Sequence, residues 1–129
     1  MRLDEPIRVL LVEDNDVYRE SLVFLLRRYD GLEVVGAVAD GGSAARACVE
    51  HNADVVVIDY RLPDVDGAEA AEDVRERCPA ASVVFLSASA GQDELDAARR
   101  AGVPLVRKDQ GVDALVGAVR AAAGRSGGA

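Results

Sequence analysis

The stretch Asp54-Val55-Val56-Val57-Ile58-Asp59 decides the fold. Four consecutive β-branched apolar residues lie between two acids, with none of the apolar–polar alternation of a half-solvated strand. Such a run marks a strand covered on both faces, as in a parallel sheet. Working outward, Ile7-Arg8-Val9-Leu10-Leu11-Val12 and Ser82-Val83-Val84-Phe85-Leu86-Ser87 read the same way. Two weaker runs complete a set of five strands near 7–12, 32–38, 54–59, 82–87 and 103–107. The second is less uniformly apolar, and the fifth carries Pro104, which suits an edge position. Both are therefore expected at the margins of the sheet.

Helical patterns alternate with these strands, near 15–29, 42–51, 67–77, 91–101 and 111–123. In the last, Val112, Leu115, Val116 and Val119 follow i, i+3, i+4, i+7 spacing and predict one apolar face. In the first, Val17, Ser21, Phe24, Leu25 and Arg28 keep mostly to one stripe. Asp30-Gly31 and Ala101-Gly102 supply C-terminal stops, and Pro79 falls just beyond the third helix. Five strand–helix units in succession predict an α/β domain: a doubly wound, five-stranded parallel sheet with right-handed crossovers and helices on both faces. The expected division is one domain over 1–123 and a flexible linker or tail over 124–129, Gly124-Arg125-Ser126-Gly127-Gly128-Ala129.

Composition narrows the function. The chain has 129 residues, enough for one self-sufficient core. Its net charge of −8 argues against direct contact with nucleic-acid phosphates. No apolar run approaches the roughly 20 residues of a membrane span, and Met1–Pro6 lacks the apolar core of a signal peptide. A cytoplasmic location and no membrane partner are the expectations. Cys48 and Cys78 fall in two different predicted helices without metal-ligand spacing and are expected as buried thiols. His51 is expected to be an exposed helix-end residue.

The chemistry gathers at the strand ends. In open parallel sheets, ligands bind beyond the carboxyl ends of the strands. The first strand leads into Glu13-Asp14, the third ends in Asp59, the fourth in Ser87, and the fifth leads to Lys108. Two like charges about 4 Å apart near a surface repel by roughly 4 kcal/mol. Three carboxylates therefore call for a divalent cation, and Mg2+ suits an oxygen-only donor set. Asp59, on the most apolar and hence central strand, is a candidate nucleophile toward phosphorus. Lys108 is placed to bind a phosphoryl oxygen and Ser87 to donate a hydrogen bond to another.

These residues resemble the receiver domain of bacterial two-component response regulators. The motifs that carry the resemblance are Val9-Leu-Leu-Val-Glu-Asp-Asn15, Val57-Ile-Asp-Tyr-Arg-Leu-Pro-Asp-Val-Asp-Gly67, Phe85-Leu-Ser-Ala-Ser89 and Val106-Arg-Lys108. In the second, Pro63 and Gly67 stand four and eight residues beyond Asp59, as in the family. Glu33-Val-Val-Gly-Ala-Val-Ala-Asp-Gly41 resembles the LuxR/NarL-type branch, whose members usually attach a helix-turn-helix DNA-binding domain. The resemblance implies a flavodoxin-like sheet of order 2-1-3-4-5 and phosphoryl transfer to Asp59 from a sensor histidine kinase. It implies Mg2+ held by Glu13, Asp14, Asp59 and the Arg61 backbone carbonyl, with Ser87 as switch hydroxyl and Lys108 as phosphoryl-binding lysine. It makes the chain a catalyst of its own phosphorylation and dephosphorylation rather than a turnover enzyme. DNA would be reached only through a separate domain.

The resemblance also implies output through the fourth helix, fifth strand and fifth helix, or a homodimer contact between the first and fifth helices. The small residues Ala97, Ala98, Ala101, Gly117 and Ala118 are expected to permit close helix approach there. One position departs from the family. Leu105 stands where a switch Tyr or Phe is usual, and Pro104 stands where a glycine usually precedes it. That departure keeps open a receiver-like binding module that acts without phosphorylation. A third reading, an aspartate-nucleophile phosphohydrolase of the haloacid-dehalogenase kind, requires a second Asp two residues after the nucleophile. Arg61 occupies that place.

Overall fold

A computed structural model describes residues 5–88 and 91–124. Five parallel strands form one sheet: β1 (Ile7–Val12), β2 (Leu32–Val38), β3 (Val55–Asp59), β4 (Ser82–Ser87) and β5 (Leu105–Arg107). Their order is β2-β1-β3-β4-β5. The weaker strands therefore occupy the two edges, and the three unbroken apolar runs fill the centre. Every residue of β3 is buried.

The helices are α1 (Asp16–Leu26), α2 (Ala44–His51), α3 (Gly67–Arg77), α4 (Gln92–Ala101) and α5 (Val112–Ala122). Short 3-10 turns, Gly41–Ser43 and Lys108–Gln110, precede α2 and α5. One apolar layer joins Leu10, Val12, Val56, Ile58 and Phe85 to α2, α3 and α4. The other joins Val9, Leu11, Val57, Val84 and Leu86 to α1 and α5. Strand alternation sends successive side chains of one run into opposite layers, which explains why the runs carry no polar face. Among the described residues, no helix is long and apolar enough to cross a membrane.

The elements follow from local signals. Asn15 and Asp66 cap α1 and α3, accepting hydrogen bonds from the amides of Tyr18 and Glu69. Gly102 closes α4 in the left-handed conformation (φ 67°), which a residue without Cβ adopts at little cost. Several boundaries are tighter than the sequence pattern indicates. The expected helix 15–29 ends at Leu26, because Arg27–Asp30 turn back toward β2. The expected strand 103–107 begins only at Leu105. Of the expected tail, Gly124 forms a turn and residues 125–129 lie outside the described part.

The stripe of α1 is corrected. The helix buries Leu22 and Leu26, whereas Val17, Phe24 and Leu25 are exposed. Leu22 and Leu26 sit one turn apart and meet the sheet, so the apolar residues beside them are left outside. The face of α5 is as expected, with Leu115, Val116 and Val119 buried and Val112 half-buried. Ala97 and Ala98 are buried rather than on an open docking face; Gly117 is exposed, and Ala101 and Ala118 are half-buried.

Candidate functional site

Strand register assembles the site. Val12 pairs with Ile58, so Glu13 and Asp59 are the next residues along β1 and β3. Asp59 pairs with Leu86, one step before Ser87, and Ser87 pairs with Arg107, one step before Lys108. Four parallel strands thus end in Glu13, Asp59, Ser87 and Lys108 at one edge.

Glu13 (2% exposed), Asp59 (6%) and Ser87 (1%) are buried, while Asp14 is exposed. Carboxylate oxygens of Glu13, Asp14 and Asp59 all lie within 4.8 Å of one another. Lys108 bridges two of them, with Nζ 2.7 Å from Glu13 Oε1 and 3.2 Å from Asp59 Oδ2. Burial of the ammonium lowers its pKa, but the hydrogen bond to Glu13 and the charges of Asp59 and Glu13 outweigh that and raise it. Lys108 is therefore firmly cationic at neutral pH. One cation against three carboxylates leaves a formal excess of two negative charges.

The donor set fits Mg2+. It consists only of carboxylate oxygens, the hard ligands that ion prefers, gathered within 4.8 Å of one another. The charge excess equals that of one divalent ion.

Arg61 enters twice. Its backbone N–H donates to Asp59 Oδ1 at 3.1 Å. Its guanidinium donates to the carboxylate of Glu94, which is buried at the start of α4. The other Glu94 oxygen accepts from the Gly91 amide at 2.7 Å. Sequence reasoning assigned Arg61 only a carbonyl role and did not single out Glu94, since a Glu in the first turn of a helix is ordinary. Tyr18 was also not anticipated. Its ring lies under the Lys108 ammonium, 4.3 Å from Nζ to the ring centroid. Burial raises the Tyr18 pKa, keeping the phenol neutral. Arg19 donates to the Glu13 carbonyl at 2.8 Å, and Glu13 Oε2 accepts from the Asn15 amide at 3.0 Å. Those bonds fix the loop that carries Asp14.

The loop after Asp59 is tied at two further points. Asp64 accepts from the amides of Gly41 and Gly42 at 3.0 and 2.8 Å, which holds its carboxyl below the usual range. The Gly67 amide donates to the Tyr60 carbonyl at 2.9 Å. A Cβ at Gly67 would stand 2.8 Å from Tyr60 Cα, so a side chain there would push the loop off the strand. Leu105 is half-buried, pairs with Phe85 and packs against the α2–α3–α4 layer.

Outside the site, one residue departs from expectation. His51 is an exposed helix end, as its position indicates. Cys48 is buried as expected. Cys78, however, caps the end of α3 rather than lying within it, and it is only half-buried.

Comparison with known proteins agrees with this fold. Residues 9–120 match the response regulator receiver domain family. The transcriptional regulatory protein PdtaR of Mycobacterium tuberculosis is 36% identical over 97 residues, covering 75% of this chain and 46% of PdtaR. A LuxR-family two-component response regulator from Aurantimonas sp. SI85-9A1 superposes with a TM-score of 0.86 at 32% identity, covering 95% of this chain and 88% of that one. The signal receiver domain of the putative response regulator NarL from M. tuberculosis gives 0.80 at 30% identity, with 90% and 98% coverage. The chain spans about half the length of the curated relatives it matches. It belongs to the response-regulator receiver domains of two-component systems.

Proposed function

We propose that this receiver takes a phosphoryl group on Asp59 from a sensor histidine kinase. Asp59 oxygen attacks phosphorus, the phosphorus–nitrogen bond of the phosphohistidine breaks, and the leaving imidazole takes up a proton. Mg2+ held by Glu13, Asp14, Asp59 and the Arg61 carbonyl would supply the positive charge that offsets the transferring phosphoryl group. Lys108 holds its ammonium against Asp59, ready to follow a phosphoryl oxygen. The Arg61 amide orients the carboxylate. Ser87 supplies a hydroxyl from the neighbouring strand.

The observation that carries this reading is the Lys108 bridge between Glu13 and Asp59 inside a three-carboxylate cluster. A merely structural lysine needs one partner. This one stands between the proposed acceptor and a metal-binding acid. The phosphorylated state would alter contacts of the α4–β5–α5 face or a homodimer contact through α1 and α5. The protein would act in the cytoplasm to regulate transcription, through an attached or partner DNA-binding domain.

Incubation with acetyl phosphate and Mg2+ should add one phosphoryl group to the intact mass, and Asp59→Asn should remove the gain. Full labelling of Asp59→Asn under the same conditions would overturn the assignment. Leu105 favours a second reading, a receiver that signals without phosphorylation. An unmodified mass together with retained partner binding would support it.

A further inference from the structure

Cys48 and Cys78 lie far from the acidic edge and have no part in phosphoryl transfer. Cys48 is completely buried in α2, among Ala44, Ala45 and Ala47, and Cys78 caps α3. Their sulfurs are 2.7 Å apart, against about 2.05 Å in a disulfide. Such an approach goes beyond the packing of two unrelated thiols. A bond needs a closure of only about 0.7 Å. Cys78 stands at the end of α3, outside helical geometry (φ −138°, ψ 61°), and precedes exposed Pro79, so its side chain is not held within a helical turn. We propose that Cys48 and Cys78 are a reversible dithiol–disulfide pair, oxidised by hydrogen peroxide or a related peroxide.

The two thiols have different roles. Cys78 is the half-exposed one and meets the oxidant. Cys48 is sealed, with its S–H directed at the Ala53 carbonyl 3.9 Å away and its sulfur facing Cys78. Burial and the neighbouring Cys78 push the Cys48 pKa up to about 12, which keeps it a thiol and leaves the first attack to Cys78. The Cys78 thiolate attacks one peroxide oxygen. A sulfur–oxygen bond forms, the oxygen–oxygen bond breaks, and the departing hydroxide takes a proton to become water. Cys48 sulfur then attacks Cys78 sulfur. The sulfur–sulfur bond forms as the sulfur–oxygen bond breaks, and the second hydroxide leaves with the Cys48 proton as water. Two thiols and one peroxide become one disulfide and two waters. A dithiol reductant reverses the change.

The bridge would close a ring whose ends are 30 residues apart. That ring contains all of β3, the acceptor Asp59 and the loop with Arg61 and Asp64. Oxidation would therefore fasten the scaffold under the site without touching the site itself. Closing a ring of this length should raise the melting temperature by roughly 5–15 °C.

The test treats the full reduced chain with hydrogen peroxide and digests it with trypsin without reductant. The expected result is an intact mass lighter by two hydrogens, peptide Ala47–Arg61 joined to Cys78–Arg99, and recovery of both thiols with dithiothreitol. Cys48→Ala, a small apolar replacement among alanines, should leave Cys78 as a sulfenic acid trapped by dimedone. The wild type should give little adduct, because Cys48 resolves it. Over-oxidised Cys78 without the joined peptide, bridges only between chains, or thiols untouched by peroxide that oxidises free cysteine would each overturn the proposal.

Discussion

Two buried glutamates, one beside Asp59 and one tied to the loop that follows it, are neutralised in opposite ways. Glu13, at the end of β1, and Glu94, at the start of α4, are each 2% exposed and each accept from a basic side chain. The Glu13 cation, Lys108, has a side chain 20% exposed, is shared with Asp59 and rests on the Tyr18 ring. The Glu94 cation, Arg61, has a side chain 70% exposed. The first pair is enclosed in a charged network, and the second is a tether whose far end is in water. A buried ion pair punishes loss of one partner, whereas a solvated cation is readily replaced by water. The first arrangement suits a lysine that remains charged beside the proposed acceptor. The second suits a solvent-facing link between the loop after Asp59 and α4.

The largest expected contrast comes from deleting each cation. Lys108→Ala leaves Glu13 and Asp59 facing each other without compensation and should cost about 2–3 kcal/mol in Mg2+-free buffer. Arg61→Ala should cost under about 1 kcal/mol, because Glu94 keeps the Gly91 amide and water replaces an exposed guanidinium. Urea unfolding of both variants measures the gap, and equal losses would break the distinction between the two pairs.

Asp14 sharpens the comparison from the metal side. Asp14→Ala should weaken Mg2+ binding by about tenfold or more in calorimetry. It should also raise the Mg2+-free melting temperature slightly, since an exposed carboxylate is removed from a like-charged cluster. Unchanged Mg2+ affinity would remove Asp14 from the proposed ligand set.

Alkaline pH separates the pairs by titration. The Lys108 pKa is raised in the folded chain above its ordinary 10.5. Its contribution to stability is thus complete below about 10.5 and is lost as pH climbs through the higher folded value. Arginine stays charged throughout that range, so the Arg61–Glu94 link persists. The melting temperature of the wild type should fall more steeply above that pH than that of Lys108→Met. Parallel curves would show that the lysine is not the titrating support.

The smallest effect concerns readout. Leu105 already packs against the α2–α3–α4 layer, so its environment has less to gain on activation than an exposed aromatic would. Leu105→Tyr should alter stability by less than about 1 kcal/mol. It should enlarge the phosphorylation-dependent amide shifts in α4 and β5. Wild-type shifts of equal extent would show that the switch needs no aromatic.

The sequence carried the sheet and its charged edge because both depend on short-range patterns. Unbroken Val/Ile/Leu runs specify doubly covered strands, and parallel pairing brings their ends together. That logic placed Glu13, Asp59, Ser87 and Lys108 without any knowledge of distances. What escaped depends on direction. Val17, Phe24 and Leu25 form a respectable apolar stripe, yet Leu22 and Leu26 face the sheet, and only packing decides between such neighbouring stripes. Arg61 and Glu94 are 33 residues apart, and Cys48 and Cys78 are 30 apart. Nothing in either spacing signals a meeting, since one contact joins the loop after β3 to α4 and the other joins α2 to the end of α3, and both arise from how those segments seat on the sheet.

Complete burial of β3 has a consequence in time. Backbone amides exchange with solvent hydrogen only when their surroundings open, and in a doubly covered central strand that requires most of the molecule to come apart. Asp59 is therefore fixed to the slowest-exchanging part of the chain. A phosphoryl group added at its tip, as proposed, would not be absorbed by yielding of the strand. The displacement would fall instead on what touches the carboxylate and what is linked to it: the loop beyond Tyr60 and, through Arg61 and Glu94, the first turn of α4.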